Sequence, residues 1–218
     1  MTVPTDSKDP GGGAATDALE LLDWRRRVFT LYREVRTLAV DDVPAAHGHW
    51  VDGRNDLLQH HPQSPVPVAD RTAYPGAPVV PYDADLRFVV ELDGDVDNVR
   101  FEFESATDGV VPFRRVGVLH VPEVGDLDVW ALASYGGGLF VPVRDALAGR
   151  ETYGGGRYLL DTVKGADLGG SEGELVIDFN FAYNPSCAYD PAWVCPLAPP
   201  GNVVRVPMRV GELHPADH

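Results

Sequence analysis

Lysine is almost missing from this chain of 218 residues. Only Lys8 and Lys164 occur, beside 16 arginines, and the basic residues total 18 against 33 acidic ones. The formal charge at neutral pH is therefore -15. Such a charge repels phosphate backbones and anionic lipid headgroups, so we expect neither nucleic acid nor a membrane surface as a partner.

Long hydrophobic runs are also absent. No apolar segment approaches the roughly 20 residues that a membrane-spanning helix requires. The segment Met1 to Thr16 is polar and glycine-rich, with neither a basic start nor an apolar stretch, so we expect no secretory signal peptide. We therefore predict a cytoplasmic protein, in which Cys187 and Cys195 would by default be reduced.

The acidic excess consists mainly of aspartate, with 23 aspartates against 10 glutamates. In dilute buffer a surface of this kind repels itself, whereas molar salt shortens the Debye length to about 3 Å and screens the repulsion. We interpret the pattern as adaptation to a salty cytoplasm, that is, as halophilic. A GC-rich genome would explain the replacement of lysine by arginine, but it would not explain the acidic excess.

The length fits one domain, which we place at residues 16–213. Residues 1–15 are polar and glycine-rich and are predicted to be a disordered tail. Residues 16–38 carry apolar side chains at helical spacing and predict an amphipathic helix. Residues 41–82 contain seven prolines, which exclude a central strand, so this segment is predicted to wrap across the surface with a short helix near 53–60.

From residue 86 the pattern becomes that of short β-strands, and we assign a β core to residues 86–210. Eight segments carry apolar residues between turn signals, and they predict strands at 86–92, 99–104, 112–121, 126–134, 138–143, 156–163, 173–181 and 203–210. Strands of this length and spacing are typical of an antiparallel barrel or two-sheet sandwich. The predicted fold is therefore mainly β, with the N-terminal helix covering an open end or one face.

Two glycine triplets, each after a tyrosine, precede predicted strands at Tyr135 and Tyr153. We interpret both as tight turns into a strand, where glycine supplies backbone angles that other residues resist. A phosphate-binding loop is the functional alternative, but no Gly-Lys-Ser/Thr follows either triplet.

The C-terminal half carries a long motif of unusual composition. It consists of Thr152-Tyr-Gly-Gly-Gly-Arg-Tyr-Leu-Leu-Asp161, Asp178-Phe-Asn-Phe-Ala-Tyr-Asn-Pro-Ser-Cys187 and Cys195-Pro-Leu-Ala-Pro-Pro-Gly-Asn202. These segments closely resemble the domain of unknown function 1684 family, and the resemblance extends upstream to His60-His-Pro-Gln-Ser-Pro65. The resemblance implies little about function, since the family's name records that none is assigned.

Polar residues of this motif are the first candidates for a site. On a strand, Asp178 and Asn180 would point to the same side. Arg157 would need an anionic partner if buried, and Asp178 is the natural one, either as a structural ion pair or as an anchor for a ligand carboxylate or phosphate. The structural alternative is that Asp178, Asn180 and Asn184 satisfy backbone groups of the proline-rich loop that follows.

Cys187 and Cys195 allow four interpretations. A disulfide would close a short loop and contribute on the order of 2–3 kcal/mol. A metal site would need two further ligands, and a nucleophilic thiol would need a nearby histidine. The plain alternative is a pair of packed thiols. Four early histidines could supply ligands, but surface histidines in a loop are the simpler prediction; these are His47, His49, His60 and His61.

We therefore predict a small-molecule binding protein with a β-lined pocket for an anionic ligand. The candidate ligand-binding residues are Arg157, Asp178, Asn180, Tyr153, Tyr183, Asn184, Tyr189, Cys187 and Cys195. The alternative is a hydrolase-like enzyme that uses a cysteine or a bound metal, and a histidine nitrogen within about 3.5 Å of Cys187 or Asp178 would favour it. The sequence assigns no metal ligands and no cofactor.

Overall fold

The computed structural model describes residues 13–105 and 109–215, and this part of the chain forms two helices followed by seven strands. The helices are α1 (Gly13–Leu38) and α2 (Val43–His60). The strands are β1 (Arg87–Asp93), β2 (Arg100–Ser105), β3 (Gly109–Val121), β4 (Gly125–Leu132), β5 (Leu139–Val143), β6 (Arg157–Asp161) and β7 (Glu174–Asp178). Neither α1 nor α2 combines the length and the hydrophobicity that crossing a membrane demands.

The strands form one antiparallel sheet that is nearly closed into a barrel. Their order is β6-β5-β4-β3-β1-β7, with β2 paired to β3. β3 has two neighbouring strands along the same edge. Its first part pairs with β2, and Val118 and Leu119 pair with β1. A bulge between Arg115 and Gly117 bends the strand between these two parts. Gly117 is needed there, since a Cβ atom would lie 2.7 Å from the carbonyl oxygen of Asp93.

The two ends of the sheet meet at a backbone bridge. Tyr158 of β6 donates its amide hydrogen to the carbonyl of Tyr183 at 2.9 Å, and Tyr183 donates to the carbonyl of Tyr158 at 3.1 Å. Tyr183 lies shortly after β7, beyond a 3-10 turn at Phe179–Phe181. We call this bridge the seam. It brings the C-terminal motif next to the helices.

Two hydrophobic clusters stabilise the fold. The first is mainly aliphatic and is built around sheet residues such as Leu119, Leu127 and Val141. The second is mainly aromatic and joins the helices to the sheet, with members that include Tyr32, Trp50, Trp130, Phe140 and Tyr158. The indole nitrogen of Trp50 on α2 donates to the Tyr32 hydroxyl on α1 at 3.2 Å. The helices therefore cover one face of the barrel.

The fold class and seven of the eight strands are confirmed. The strand predicted at 203–210 is wrong: this segment is irregular, and β7 ends at Asp178 rather than at 181. The predicted tail at 1–15 falls mostly outside the described residues, but α1 begins at Gly13 rather than at residue 16.

The main correction concerns residues 41–82, where a surface wrap with a short helix was expected. A full helix, α2, occupies 43–60. Asp42 caps it by accepting a hydrogen bond from the amide of Ala45 at 2.9 Å. Pro44 lies in the first turn, where its missing amide hydrogen has no intrahelical partner to lose. His47 is consequently a buried helical residue and not a surface histidine in a loop.

Candidate binding site

A cavity of about 70 Å³ opens between the helices and the seam. Its walls combine aromatic rings with two cationic side chains and a buried amide. The lining residues are Trp24, Val28, Leu31, Tyr32, Arg54, Leu57, Pro65, Tyr158, Lys164, Ala166, Tyr183, Asn184, Pro185 and Ser186. The seam supplies Tyr158 and Tyr183, whose rings meet edge to face with centroids 5.5 Å apart.

Arg54 on α2 is held rigidly in the wall of this cavity. Its guanidinium makes a two-point ion pair with the carboxylate of Glu212, which is fully buried. It also donates to the carbonyl of Asn184 at 3.2 Å and lies 4.7 Å from the ring centroid of Tyr183. Burial opposes the charge of Arg54, but Glu212 more than offsets this and keeps the pKa of Arg54 above its ordinary value.

Glu212 and Asn184 connect the C-terminal segment to the motif. Glu212 accepts hydrogen bonds from the amide of Asn184 at 2.7 Å and from the hydroxyl of Tyr189 at 2.9 Å. The side-chain nitrogen of Asn184 donates to the carbonyl of Leu213 at 2.8 Å. The remaining polar atom of this side chain, Oδ1, is buried without a hydrogen-bond partner among the described residues. A buried acceptor without a hydrogen-bond partner is uncommon in a folded protein.

Lys164 stands at the edge of the cavity in the turn that follows β6. The turn is fixed by Asp161, whose carbonyl and side chain accept hydrogen bonds from the Lys164 amide at 3.1 and 3.2 Å. The ammonium group is half exposed, at 51% of the side chain, and lies 3.9 Å from the Asp161 carboxylate. Because Asp161 is buried, its pKa is raised, although Lys164 acts in the opposite direction.

Cys187 and Cys195 lie next to each other. Cys187 directly follows Ser186, which lines the cavity. The amide of Cys187 donates to the sulfur of Cys195 at 3.4 Å. The hydroxyl of Tyr153 contacts the sulfur of Cys187 at 3.4 Å and its carbonyl oxygen at 3.3 Å. Both cysteines are free thiols of intermediate exposure. The structure thus brings together three of the residues selected from the sequence.

Arg157 lies elsewhere, fully buried in the core. The expected pairing with Asp178 is wrong, because Arg157 pairs with Asp145 at 3.1 Å. The same guanidinium donates to the carbonyls of Met208, Val210 and Glu212. Arg157 therefore fastens the irregular C-terminal segment to the barrel, and its charge is directed at the protein itself.

Asp178 and Asn180 belong to a second structural network. Asp178 accepts hydrogen bonds from Arg87 and from the hydroxyl of Tyr82, both at 3.1 Å. Its other oxygen caps the 3-10 turn through the amide of Asn180 at 3.0 Å. Asn180 in turn bonds both backbone groups of Asp83, at 2.7 and 2.8 Å. The structural interpretation of these two residues is therefore the one the geometry favours.

No histidine in the described part of the chain makes a hydrogen bond to Cys187 or to Asp178. His47 donates from Nε2 to the carbonyl of Asn180 at 3.0 Å, and His61 contacts Asp23 at 3.3 Å. Within residues 13–105 and 109–215, no three His, Cys, Asp or Glu side chains are grouped so that they could hold a metal ion. The geometry thus gives no support to a histidine-activated or metal-dependent hydrolase.

Several lining residues were not among the sequence candidates, chiefly Arg54, Lys164, Tyr158, Tyr32 and Trp24. Most of them lie on α1 and α2 or at the seam, so their proximity depends on the way the helices pack against the barrel. One signal was present in the sequence. In a chain with only two lysines, the position of Lys164 directly after a predicted strand of the motif could have marked it.

Comparison with known proteins identifies a family to which no function has been assigned. Residues 72–213 match the model of a family described as "Protein of unknown function (DUF1684)". Among solved structures, the chain is similar to the solution NMR structure of the uncharacterized protein from gene locus rrnAC0354 of Haloarcula marismortui. The TM-score is 0.55 and the sequence identity 30%, covering 77% of this chain and 92% of the other. No curated protein matches the chain.

Proposed function

Since this chain belongs to the DUF1684 family of proteins of unknown function, we propose its function from the cavity: it binds a small organic anion between the helices and the seam. The observation that carries the proposal is the half-exposed ammonium group of Lys164 at the edge of an aromatic-walled cavity, in a chain whose formal charge is -15. Elsewhere such a charge would repel an anion.

The two cations have different roles in this proposal. Arg54 is neutralised by Glu212, which fixes its orientation and leaves its face stacked on Tyr183. Lys164 is half exposed, so its ammonium group can turn towards a ligand carboxylate or phosphate at little cost in side-chain burial.

The rest of the cavity selects the body of the ligand. Tyr32, Tyr158, Tyr183 and Trp24 present ring surfaces, which favour an aromatic or alicyclic group. The volume of about 70 Å³ has room for several water-sized groups, so the enclosed part of the ligand is small, such as one ring or a short chain. The expected class is thus a small ring-bearing carboxylate.

Binding can be tested with benzoate, cyclohexanecarboxylate, benzyl alcohol and benzylamine at one fixed ionic strength, by protein-observed NMR that follows the indole signal of Trp24. We expect the two carboxylates to bind and the alcohol to bind about tenfold more weakly, since it lacks the charge. Substitution Lys164→Gln should weaken carboxylate binding about fivefold, which corresponds to the upper range for an exposed ion pair of about 1 kcal/mol.

The matched control is Arg209→Gln, which removes the same charge from an exposed ion pair with Glu151 outside the cavity. It should leave affinity unchanged. Ser186→Leu should abolish binding by filling the cavity at a lining position, with the unfolding midpoint retained. Equal binding of the carboxylates by the wild type, Lys164→Gln and Ser186→Leu would overturn the proposal, as would binding of benzylamine alone.

A further inference from the structure

The two cysteines are placed for chemistry that anion binding does not use. A 3-10 turn at Ser186–Ala188 presents Cys187, and the chain then returns to place the sulfur of Cys195 against the Cys187 amide at 3.4 Å. The two thiols also share a hydrogen bond. Proline stiffens the connection, since Pro191 lies between the cysteines and Pro185 and Pro196 flank them. The pair is therefore adjacent before any bond forms between the sulfurs.

The surroundings shift the pKa values of the two thiols in opposite directions. Hydrogen bonding from Cys195 and from the Tyr153 hydroxyl lowers the pKa of Cys187 to about 6, although burial acts in the opposite direction. Cys195 has its pKa raised by the same contact and by burial. Lys164 contributes a further favourable charge for the Cys187 thiolate. These opposite shifts favour ionisation of Cys187 before Cys195, as in a pair of an attacking and a resolving cysteine.

Access to this pair is open from solvent. Both cysteines are only partly buried, and the loop between and after them exposes Trp193, Val194 and Leu197, at 42%, 48% and 48%. Exposed apolar side chains of this size are notable on a loop of a chain so rich in charge. They give the loop that carries the two cysteines an exposed apolar surface.

We propose that Cys187 and Cys195 form a redox-active dithiol that exchanges with small-molecule disulfides. The Cys187 thiolate attacks one sulfur of the disulfide, so that a mixed disulfide forms and one small thiolate leaves and takes a proton from water. Cys195 then gives up its proton and attacks the Cys187 sulfur, which forms the Cys187–Cys195 disulfide and releases the second small thiol. Two protein thiols are oxidised, and one small disulfide is reduced to two thiols.

The test uses the full chain, reduced with dithiothreitol, desalted without air and mixed with 2-hydroxyethyl disulfide. Acid-quenched samples are followed by mass spectrometry. The wild type should lose two hydrogen atoms and carry no adduct. Cys195→Ser should stop at the mixed disulfide and keep one adduct, whereas Cys187→Ser should react at least about tenfold more slowly than the wild type.

Tyr153→Phe tests whether the Tyr153 hydroxyl lowers the pKa of Cys187 or only supports the local structure. In the wild type the rate of iodoacetamide reaction at Cys187 should rise with a midpoint near pH 6. Removing the Tyr153 hydroxyl should move this midpoint to higher pH, with an unchanged circular dichroism spectrum. Equal reactivity of the two cysteines, an adduct that persists on the wild type, no reaction at all, or a disulfide that dithiothreitol cannot reduce in the folded protein would each overturn the proposal.

Discussion

Glu212 shows how one residue can organise a site without touching a ligand. Its carboxylate is completely buried and satisfies Arg54, the amide of Asn184 and the hydroxyl of Tyr189 together. A buried carboxylate is tolerated only when its hydrogen-bonding capacity is used in this way. Arg54 belongs to α2, whereas Asn184 and Tyr189 belong to the stretch after β7, so Glu212 fixes α2, that stretch and its own C-terminal segment relative to one another.

His47 gives the protein a pH-dependent stability. Burial lowers the pKa of His47, although the carbonyl of Asn180 acts in the opposite direction. As pH falls through about 6.5, the ordinary value for histidine, the unfolded chain binds a proton that the folded chain resists, so the free energy of unfolding decreases. The loss stops once the pH passes below the lowered pKa of the folded state, and at pH 8 His47 contributes no such dependence.

This dependence can be measured by urea unfolding between pH 5 and 8. His47→Gln should flatten the decrease in the free energy of unfolding towards low pH, since glutamine can donate to the Asn180 carbonyl without titrating. The matched variant His49→Gln, on the same helix but half exposed, should retain the decrease. Identical slopes for the wild type and His47→Gln would contradict this assignment.

The ion pair of Arg157 could be predicted only in part from the sequence. The chemistry of a buried arginine correctly predicts a carboxylate partner, but the partner is Asp145 instead of Asp178. The choice depends on the path of the irregular segment 203–212, whose carbonyls complete the shell around the guanidinium. The alternating pattern of this segment predicts which side chains are buried but not the path of the backbone, so the partner of Arg157 could not be predicted.

The strands were predictable, whereas only the second half of α2, near residues 53–60, was predicted, and packing explains the difference. In β2, Phe101 and Phe103 are half-buried while Glu102 and Glu104 are exposed, so burial follows the alternation of the sequence. In α2, glycine and proline weaken the helical propensity, and tertiary packing decides instead. Gly53 illustrates this, because a Cβ atom there would lie 2.6 Å from a methyl group of Leu31 on α1. The glycine that weakens the helix allows α1 and α2 to approach.

The strand predicted at 203–210 was wrong because burial was mistaken for strand pairing. Val204, Met208 and Val210 are buried as an alternating pattern predicts. Burial alone does not make a strand, however, because a ladder also needs a neighbouring strand with free backbone groups. In the segment 203–210, the carbonyls of Met208 and Val210 instead accept hydrogen bonds from Arg157. Alternation therefore reports which side chains are buried, and it does not report how the backbone is paired.

The N-cap of α2 should be a measurable part of the stability. Asp42→Ala removes the hydrogen bond to the Ala45 amide and is expected to cost about 1 kcal/mol of unfolding free energy. Asp41→Ala, the adjacent exposed aspartate, makes the same charge change and should have little effect. Urea unfolding with unchanged m-values measures both, and an equal loss in the two variants would assign the effect to charge instead of to the cap.

At the scale of the whole molecule, the charge of -15 predicts a dependence on salt. The Debye length falls from about 30 Å at 0.01 M salt to about 3 Å at 1 M, so self-repulsion is progressively screened. We expect the unfolding midpoint to rise by roughly 4–8 °C between these KCl concentrations, equivalent to about 2 kcal/mol. Thermal unfolding monitored by circular dichroism would measure this, and a midpoint independent of KCl would contradict the halophilic interpretation.

The scarcity of lysine also has a practical consequence. Amine-directed reagents modify few positions on a chain with only two lysines, and one of these, Lys164, stands half exposed at the edge of the cavity. A dye ester or a photoreactive crosslinker could therefore be installed there with little competition, within reach of the indole of Trp24 in the same wall. Because acylation removes the ammonium charge, a molecule that occupies the cavity should slow the modification of Lys164, and the composition of the chain thereby makes this amine a reporter of occupancy.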